Sequence, residues 1–548
     1  MEAKLELCLW QRWFKKPSMP LASADRVDAD AAAGDFGRAR RAAAPGDAMR
    51  MAADEVMDRP PTDNEAEMSY FTEFTTYFAY MLLIVVGHFR DFWGRASGRT
   101  RWKTLLPSGA GRAKLAPLFK SWENFYTRRL YDRIIDVFNR PICSSPSAWI
   151  TVQSRATDPA TKELEKTGKT QRCLNLGSYN YLGFADDWMA TCGPPVLRTV
   201  DDWPISCGSS RSDLGTTALH RTLEERVAAF VGKEDAVVFN MGYGTNSTTV
   251  PALVGKGDLV VSDELNHASI VNGCRASGAL IRSFKHNDAG ALEAVLREAV
   301  SMGAPRTRRP WKKILVMVEG IYSMEGEICN LKAIAAVAKR YKAYLYLDEA
   351  HSIGALGANG RGACEHCGVD PKDVDILMGT FTKSFGGMGG YVAASKAVVD
   401  HLRVACPGIL NHDAMSPVMC AQVLRATEII MGDGTDLGAS KIQDLKDNSN
   451  YFRKELVNAG LHVYGDYDSP IIPVLLYNPT KIAAFSRECL KRDLAVVVVG
   501  FPATTLVKSR ARFCVSAGHT RADLEDAVAK IKEVAALIKI QYKITPFG

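Results

Sequence analysis

Gly379-Thr380-Phe381-Thr382-Lys383-Ser384-Phe385-Gly386-Gly387 sets one lysine in a small, flexible, hydroxyl-rich loop directly after the apolar run Val374–Met378. Upstream, a second apolar run, Ala343–Leu347, ends in Asp348-Glu349-Ala350-His351. Runs of this kind read as parallel strands, and ligands of such sheets sit beyond the carboxyl ends. A lysine and an acid at two strand ends are the fixed points that pyridoxal 5'-phosphate needs. The amine condenses with the aldehyde, and the carboxylate keeps the ring nitrogen protonated so that the ring can accept electrons. The stretch predicts a cofactor enzyme on an α/β sheet.

The surrounding chain agrees. From about Asn175, short apolar runs alternate with helical segments: Ala236–Phe239, Leu259–Ser262, Ile314–Glu319, Ala343–Leu347, Ile376–Met378 and Tyr391–Ala394. That alternation predicts a mostly parallel central sheet. After about residue 400 it loosens into helices with strands near Ile471–Leu476, Ala495–Val499 and Arg512–Ser516, a smaller α+β lobe.

More candidates collect at the strand ends. Asn240–Asn246 opens a helix with Gly242, Tyr243 and Gly244, whose free backbone N–H groups and helix N-terminus suit a phosphate. Thr380 and Thr382 add hydroxyl donors next to the lysine. His267, in Ser262–Ser269, is suited to stack on a ring and donate a proton; alone it would read as an ordinary loop histidine. Arg512 is a candidate for bidentate capture of a carboxylate, where a surface charge is the plain alternative. Asp348–His351 also spells a DEAH box, but no GxxxxGK[ST] loop accompanies it, which excludes a helicase.

Composition bounds the rest. The chain has 548 residues, 47% hydrophobic and 24% charged, ample for a large core. A net charge of +7 is a small excess. The basic run Arg306, Arg308, Arg309, Lys312, Lys313 reads as a solvated loop before a strand, so no nucleic-acid partner is expected. Thirteen scattered cysteines, several inside apolar runs, point to reduced thiols. Cys364-Glu365-His366-Cys367 has metal-ligand spacing but no second pair, and no metal is expected; the sequon at Asn246 reads as chance.

Residues 1–66, rich in Ala, Asp and Arg, are expected to be disordered. Residues 67–95 hold the membrane candidate, whose uninterrupted apolar core from Tyr77 to Gly87 is shorter than the roughly 20 residues of a typical span. A shallow anchor, a true span and a buried helix stay open. Acidic residues precede it and Arg90, Arg95, Arg99, Arg101 and Lys103 follow, which puts the downstream chain in the cytosol. The expected order continues with a basic linker and N-terminal arm (96–175), a large cofactor domain (176–400) and a small C-terminal domain (401–548).

Four segments resemble the α-oxoamine synthases: Leu174–Ala185 (LNLGSYNYLGFA), Ser262–Ser269, Glu319–Cys329 (EGIYSMEGEIC) and Gly379–Gly386. Within that family, Asn139–Cys143, Arg306–Lys313, Tyr341–Gly357 and Val496–Thr504 resemble its eukaryotic, membrane-bound branch. The resemblance covers roughly residues 118–540. It implies the fold type I architecture of pyridoxal-phosphate enzymes and condensation of L-serine with palmitoyl-CoA to 3-oxosphinganine. It also implies a heterodimer with a lysine-lacking subunit, at the endoplasmic reticulum membrane with the catalytic domain facing the cytosol. By resemblance Lys383 bears the cofactor, His267 stacks on its ring, Asp348 pairs with the ring nitrogen and His351 neighbours the ring hydroxyl. Gly242, Tyr243, Thr380 and Thr382 then hold the phosphate, and Asn180 and Arg512 lie near the substrate carboxylate. Two departures stand out: Gly500 occupies the place where bacterial relatives carry a second carboxylate-binding arginine, and Asp413 stands where relatives have a small hydroxyl residue. The residues by themselves leave glycine or alanine open as the amino acid.

Overall fold

The computed structural model describes residues 69–97, 121–157, 163–501, 503–505 and 507–542. The expected disorder of residues 1–66 and most of the basic linker lie outside these residues.

Thirteen strands are present among the described residues: β1 (Trp149–Thr157), β2 (Leu164–Asn175), β3 (Asp235–Phe239), β4 (Leu259–Asp263), β5 (Leu280–Phe284), β6 (Ile314–Glu319), β7 (Tyr344–Asp348), β8 (Ile376–Thr380), β9 (Gly390–Ala394), β10 (Ile471–Tyr477), β11 (Leu494–Ala495), β12 (Val497–Val499) and β13 (Ser509–Cys514). Seven form the central sheet in the order β3-β9-β8-β7-β6-β4-β5. Only β9 runs against the others. The carboxyl ends of β3, β4, β6, β7 and β8 therefore share one edge.

Alternation along each strand feeds two apolar layers. Val316 and Val318 of β6 point into one buried cluster, Leu315 and Met317 into the other. Sheets covered on both faces are the rule for parallel strands. The first layer continues through the helix Pro417–Met431, which packs on Gly193–Asp202 and Ala218–Val231.

A separate buried cluster fills the smaller lobe and includes Val137 and Leu174 of the N-terminal arm and Leu176 just beyond it. The arm is more than a linker. Its strands β1 and β2 form an antiparallel hairpin, and β11 adds parallel to β2. β10, β13 and β12 form the third sheet. The expected single strand Ala495–Val499 is thus divided at Val496 between two sheets. Arg512 lies inside β13 rather than at its start.

The helix Tyr70–Ala96 has its amphipathicity inverted. Thr72, Thr76, Tyr80, Gly87 and Asp91 form a buried stripe, whereas Phe74, Phe78, Val85, Phe89, Phe92 and Trp93 are exposed. In length and composition it could cross a membrane. The helix continues well past the apolar core read from the sequence, with apolar side chains outward on both sides of it.

Candidate active site

Glu319 and Asp348 are register partners at the ends of β6 and β7, and Asp348 is paired in turn with Met378 of β8. Asp348 is buried, and both of its oxygens accept N–H donors. Asn246 Nδ2 donates to one at 2.7 Å and the Ala350 amide to the other at 2.9 Å. Asn246 is itself fixed by Tyr346, whose hydroxyl donates to it at 2.8 Å, and it donates to Ser269 at 3.0 Å. The sequon asparagine is therefore a buried support of the site, in the helix Gly242–Leu253.

Lys383 follows β8. Its ammonium lies 5.6 Å from the centre of the Tyr179 ring, and the Arg512 guanidinium lies 5.0 Å from that same centre. Burial pulls the lysine down to about 8; Asp348 and Glu319 oppose this and Arg512 adds to it. A neutral amine is therefore within reach near physiological pH.

His267 caps the helix Ala268–Ser277. Its Nδ1 sits 2.8 Å from Ser269 Oγ, and its backbone N–H donates to the Glu319 carboxyl. Burial lowers its pKa, and the Lys383 charge adds to this while Asp348 opposes it. His351 is buried with Nδ1 2.8 Å from the Tyr181 hydroxyl, and Tyr179 meets its ring edge-on at 5.2 Å. Burial, then the Lys383 charge, holds it well below the usual histidine range. Two neutral imidazoles thus flank the lysine.

Thr380 Oγ1 lies 2.8 Å from Thr382 Oγ1 and donates to Gly389 O at 2.9 Å. A Cβ on Gly242 would come within 2.6 Å of Thr380 Oγ1, so only glycine lets the helix start approach the threonines. The first-turn amides of that helix have no intrahelical acceptor. Tyr243 is half-exposed beside them, its ring edge-on to His267 at 6.1 Å. This cradle, the lysine and the bonded carboxylate fit a phosphorylated pyridine aldehyde.

Arg512 donates to Ser323 O at 3.3 Å. Asn180 is differently used: its amide donates to Asp186 at 2.9 Å and its carbonyl accepts the Ala185 amide at 3.3 Å. It nonetheless lines a cavity of about 910 Å³ together with Tyr179, Trp188, Thr382 and Lys383. The structure thus brings the sequence candidates together at the carboxyl edge of the central sheet, with Arg512 reaching the Tyr179 ring from β13 of the third sheet and Asn180 on the cavity wall. Sequence reasoning left Asn246, Tyr179, Tyr181 and Glu319 without roles. Glu319 and the two tyrosines lay inside quoted motifs, the available signal. Glu319 is pushed well above the usual carboxylate range, by burial first and by Asp348 second.

Among the described residues no group of His, Cys, Asp and Glu is placed to hold a metal, and twelve cysteines are free. Cys364 is buried, and Glu365 beside it accepts the Arg361 and Asn359 amides.

The model of the family Aminotransferase class I and II matches residues 171–531. Long chain base biosynthesis protein 2d of Oryza sativa subsp. japonica is 54% identical over 480 residues, 87% of this chain and 96% of the relative. Serine palmitoyltransferase 2 of Dictyostelium discoideum is 49% identical over 490 residues, 88% of this chain and 98% of the relative. Among solved structures, a serine palmitoyltransferase from S. paucimobilis with bound PLP–myriocin superposes with a TM-score of 0.66 at 27% identity, covering 77% of this chain and 98% of that one. The chain belongs to the aminotransferase class I and II family, in the group formed by these long chain base biosynthesis proteins and serine palmitoyltransferases. Its fold is that of the pyridoxal-phosphate enzymes, and pyridoxal phosphate is its cofactor.

Proposed function

We propose that the chain catalyses decarboxylative condensation of L-serine with palmitoyl-CoA to 3-oxosphinganine, releasing CoA and CO2. The observation that carries this reading is the shared Tyr179 ring, over which Lys383 and Arg512 both lie, one step from the carboxylate end of β7. It brings an amine with a lowered pKa and a carboxylate-binding cation to one point.

In this reading Lys383 would hold the cofactor, Asp348 would partner its ring nitrogen, His267 would cover its ring and His351 would lie by its ring hydroxyl. Gly242, Tyr243, Thr380 and Thr382 take the phosphate. Pyridoxal phosphate, when bound, supplies the electron sink that makes the amino acid Cα acidic. The residues do the rest. Arg512, with Asn180 on the cavity wall, orients the serine carboxylate. The Lys383 amine, whose pKa burial lowers to about 8, would remove the Cα proton in its neutral form. The serine Cα then joins the palmitoyl carbonyl carbon; the C–S bond breaks to release CoA, the Cα–carboxylate bond breaks to release CO2, and Cα takes up a proton in place of the carboxylate. The cavity beside Lys383 is large enough to bring a thioester to that carbon.

The same proposal includes a heterodimer with a lysine-lacking subunit. Asp413 is exposed in the segment Ile409–Pro417, close by Ser210, with exposed Ile205, Leu214 and Val404 in neighbouring segments. A carboxylate lent within ~4 Å of a partner's phosphate would cost about 4 kcal/mol at an effective dielectric near 20, a cost that vanishes if the partner binds none. The inverted helix Tyr70–Ala96 supports a membrane location; the endoplasmic reticulum and the cytosolic face rest on the resemblance and on the basic flank.

Supplying single amino acids with palmitoyl-CoA and identifying the ketone tests the reaction. Serine should give 3-oxosphinganine. A product from glycine or alanine alone would establish the other condensation instead.

A further inference from the structure

The buried stripe of the membrane helix does not end on inert surface. Tyr80 is buried beside Ser509, the first residue of β13. The helix Ser121–Arg129 lies alongside, with Phe125 stacked on His88 at 4.2 Å and Arg128 paired to Asp91 at 2.9 Å; Arg129 pairs to the same carboxylate. From this second helix the Tyr126 hydroxyl donates to Phe501 O at 2.9 Å, and its ring meets the Phe501 ring edge-on at 4.9 Å. Phe501 stands just past β12, and β12 is paired residue for residue with β13: Val497 opposite Arg512, Val499 opposite Arg510. The two tyrosines therefore grip both sides of the hairpin whose strand carries Arg512.

Arg512 itself has few tethers. The Tyr179 ring lies 5.0 Å from its guanidinium, Ser323 O is 3.3 Å away, Met324 Sδ is 3.8 Å away, and Nε is buried without a partner. Its guanidinium keeps free donors for a carboxylate, so its aim depends on where the strand is held. Gly500, in the hairpin, offers no second cation in support.

We propose that the membrane helix and the helix Ser121–Arg129 form a strap that sets β13, making Tyr80 and Tyr126 positioning residues for amino-acid recognition by Arg512. This rests on the reading of Arg512 as the carboxylate site, and it makes membrane seating and substrate affinity one property.

The test titrates L-serine into the full-length, cofactor-loaded protein in detergent, following the cofactor absorbance. Tyr126→Phe should weaken serine about fivefold, the scale of one hydrogen bond, and raise the serine KM alike with kcat nearly unchanged. Gly87→Ala opens the strap by another route, since its methyl would meet Phe125 Cζ at 2.7 Å, and should act in the same direction. The deciding measurement is a double-mutant cycle with Arg512→Gln. If the strap acts through Arg512, Tyr126→Phe costs nothing further in that background. An undiminished fivefold loss there, or unchanged serine affinity in Tyr126→Phe and Gly87→Ala, overturns the proposal. If Arg512→Gln alone binds serine normally, the carboxylate assignment fails instead.

Discussion

The ends of β6 and β7 carry two carboxylates in direct register, Glu319 opposite Asp348, and their surroundings set them to different uses. Asp348 is met by a side-chain amide and a backbone amide, one on each oxygen. Glu319 takes the His267 backbone N–H and is pushed far up by burial and by Asp348 itself. Burial and a like charge beside it both disfavour the ionised form of Glu319, which has one backbone N–H where Asp348 has two donors. The residue type and its place in the fold do not assign the role. The donors do.

The largest effect is expected at the lysine that both carboxylates face. Lys383→Ala should abolish turnover and the visible absorbance of bound cofactor while leaving the fold intact by circular dichroism. Normal turnover would remove the basis for comparing the carboxylates at all. Next, Asp348→Asn keeps the shape but removes the charge needed beside a pyridinium, and should lower kcat by about 100-fold or more with cofactor still bound. Exchange of the serine Cα proton at the wild-type rate in that variant would break the contrast with Glu319.

How much of this was readable before the structure differs between the same two strands. Asp348 and Lys383 stood out because each follows an apolar run with the right chemistry, and the parallel sheet brings both runs to one edge. Glu319 also ended an apolar run, but nothing local marks a carboxyl that lies under a neighbour's amide. The small lobe was harder. Arg510 and Arg512 broke the apolar pattern, so the strand read as starting only at Arg512, yet both are buried in β13 because Met324 O, Glu325 and Ser323 O receive them. The run Leu494–Val499 is nearly uniform in its apolar character, so no periodicity showed that its halves join different sheets. β5 was missed because its exposed edge position admits Arg282 and Ser283.

A third strand end extends the comparison. Asp263, at the end of β4, accepts Leu265 N, Asn287 N, the Tyr322 hydroxyl and His286 Nδ1, and His286 Nε2 lies 3.2 Å from Glu327. Burial pulls His286 down, but the Asp263 hydrogen bond and the neighbouring Glu327 carboxylate outweigh it and push it up to about 10. Its folded pKa is above the unfolded value near 6.5, so its stabilisation is complete below about 6.5 and is lost as pH rises through about 10. His286→Gln should therefore cost about 2 kcal/mol near pH 6 and almost nothing above pH 10. Melting temperatures of both proteins across that range measure it; a penalty independent of pH would mean that the ring acts by packing alone.

The smallest effect is expected at Glu319, and it tests the contrast most sharply. A carboxyl held neutral is close in shape and charge to an amide, so Glu319→Gln should keep its carbonyl on the His267 N–H and change kcat/KM by no more than about threefold. Glu319 raises the Lys383 pKa only to the extent that it carries charge. The pH midpoint for cofactor capture by the apoprotein, set by the lysine at about 8, should therefore hardly move in this variant. A loss as large as that of Asp348→Asn, or a clear fall in that midpoint, would show that Glu319 is ionised in the working site. The contrast between the two strand ends, one carboxyl disfavoured as an anion and the other met by two donors, would then fail.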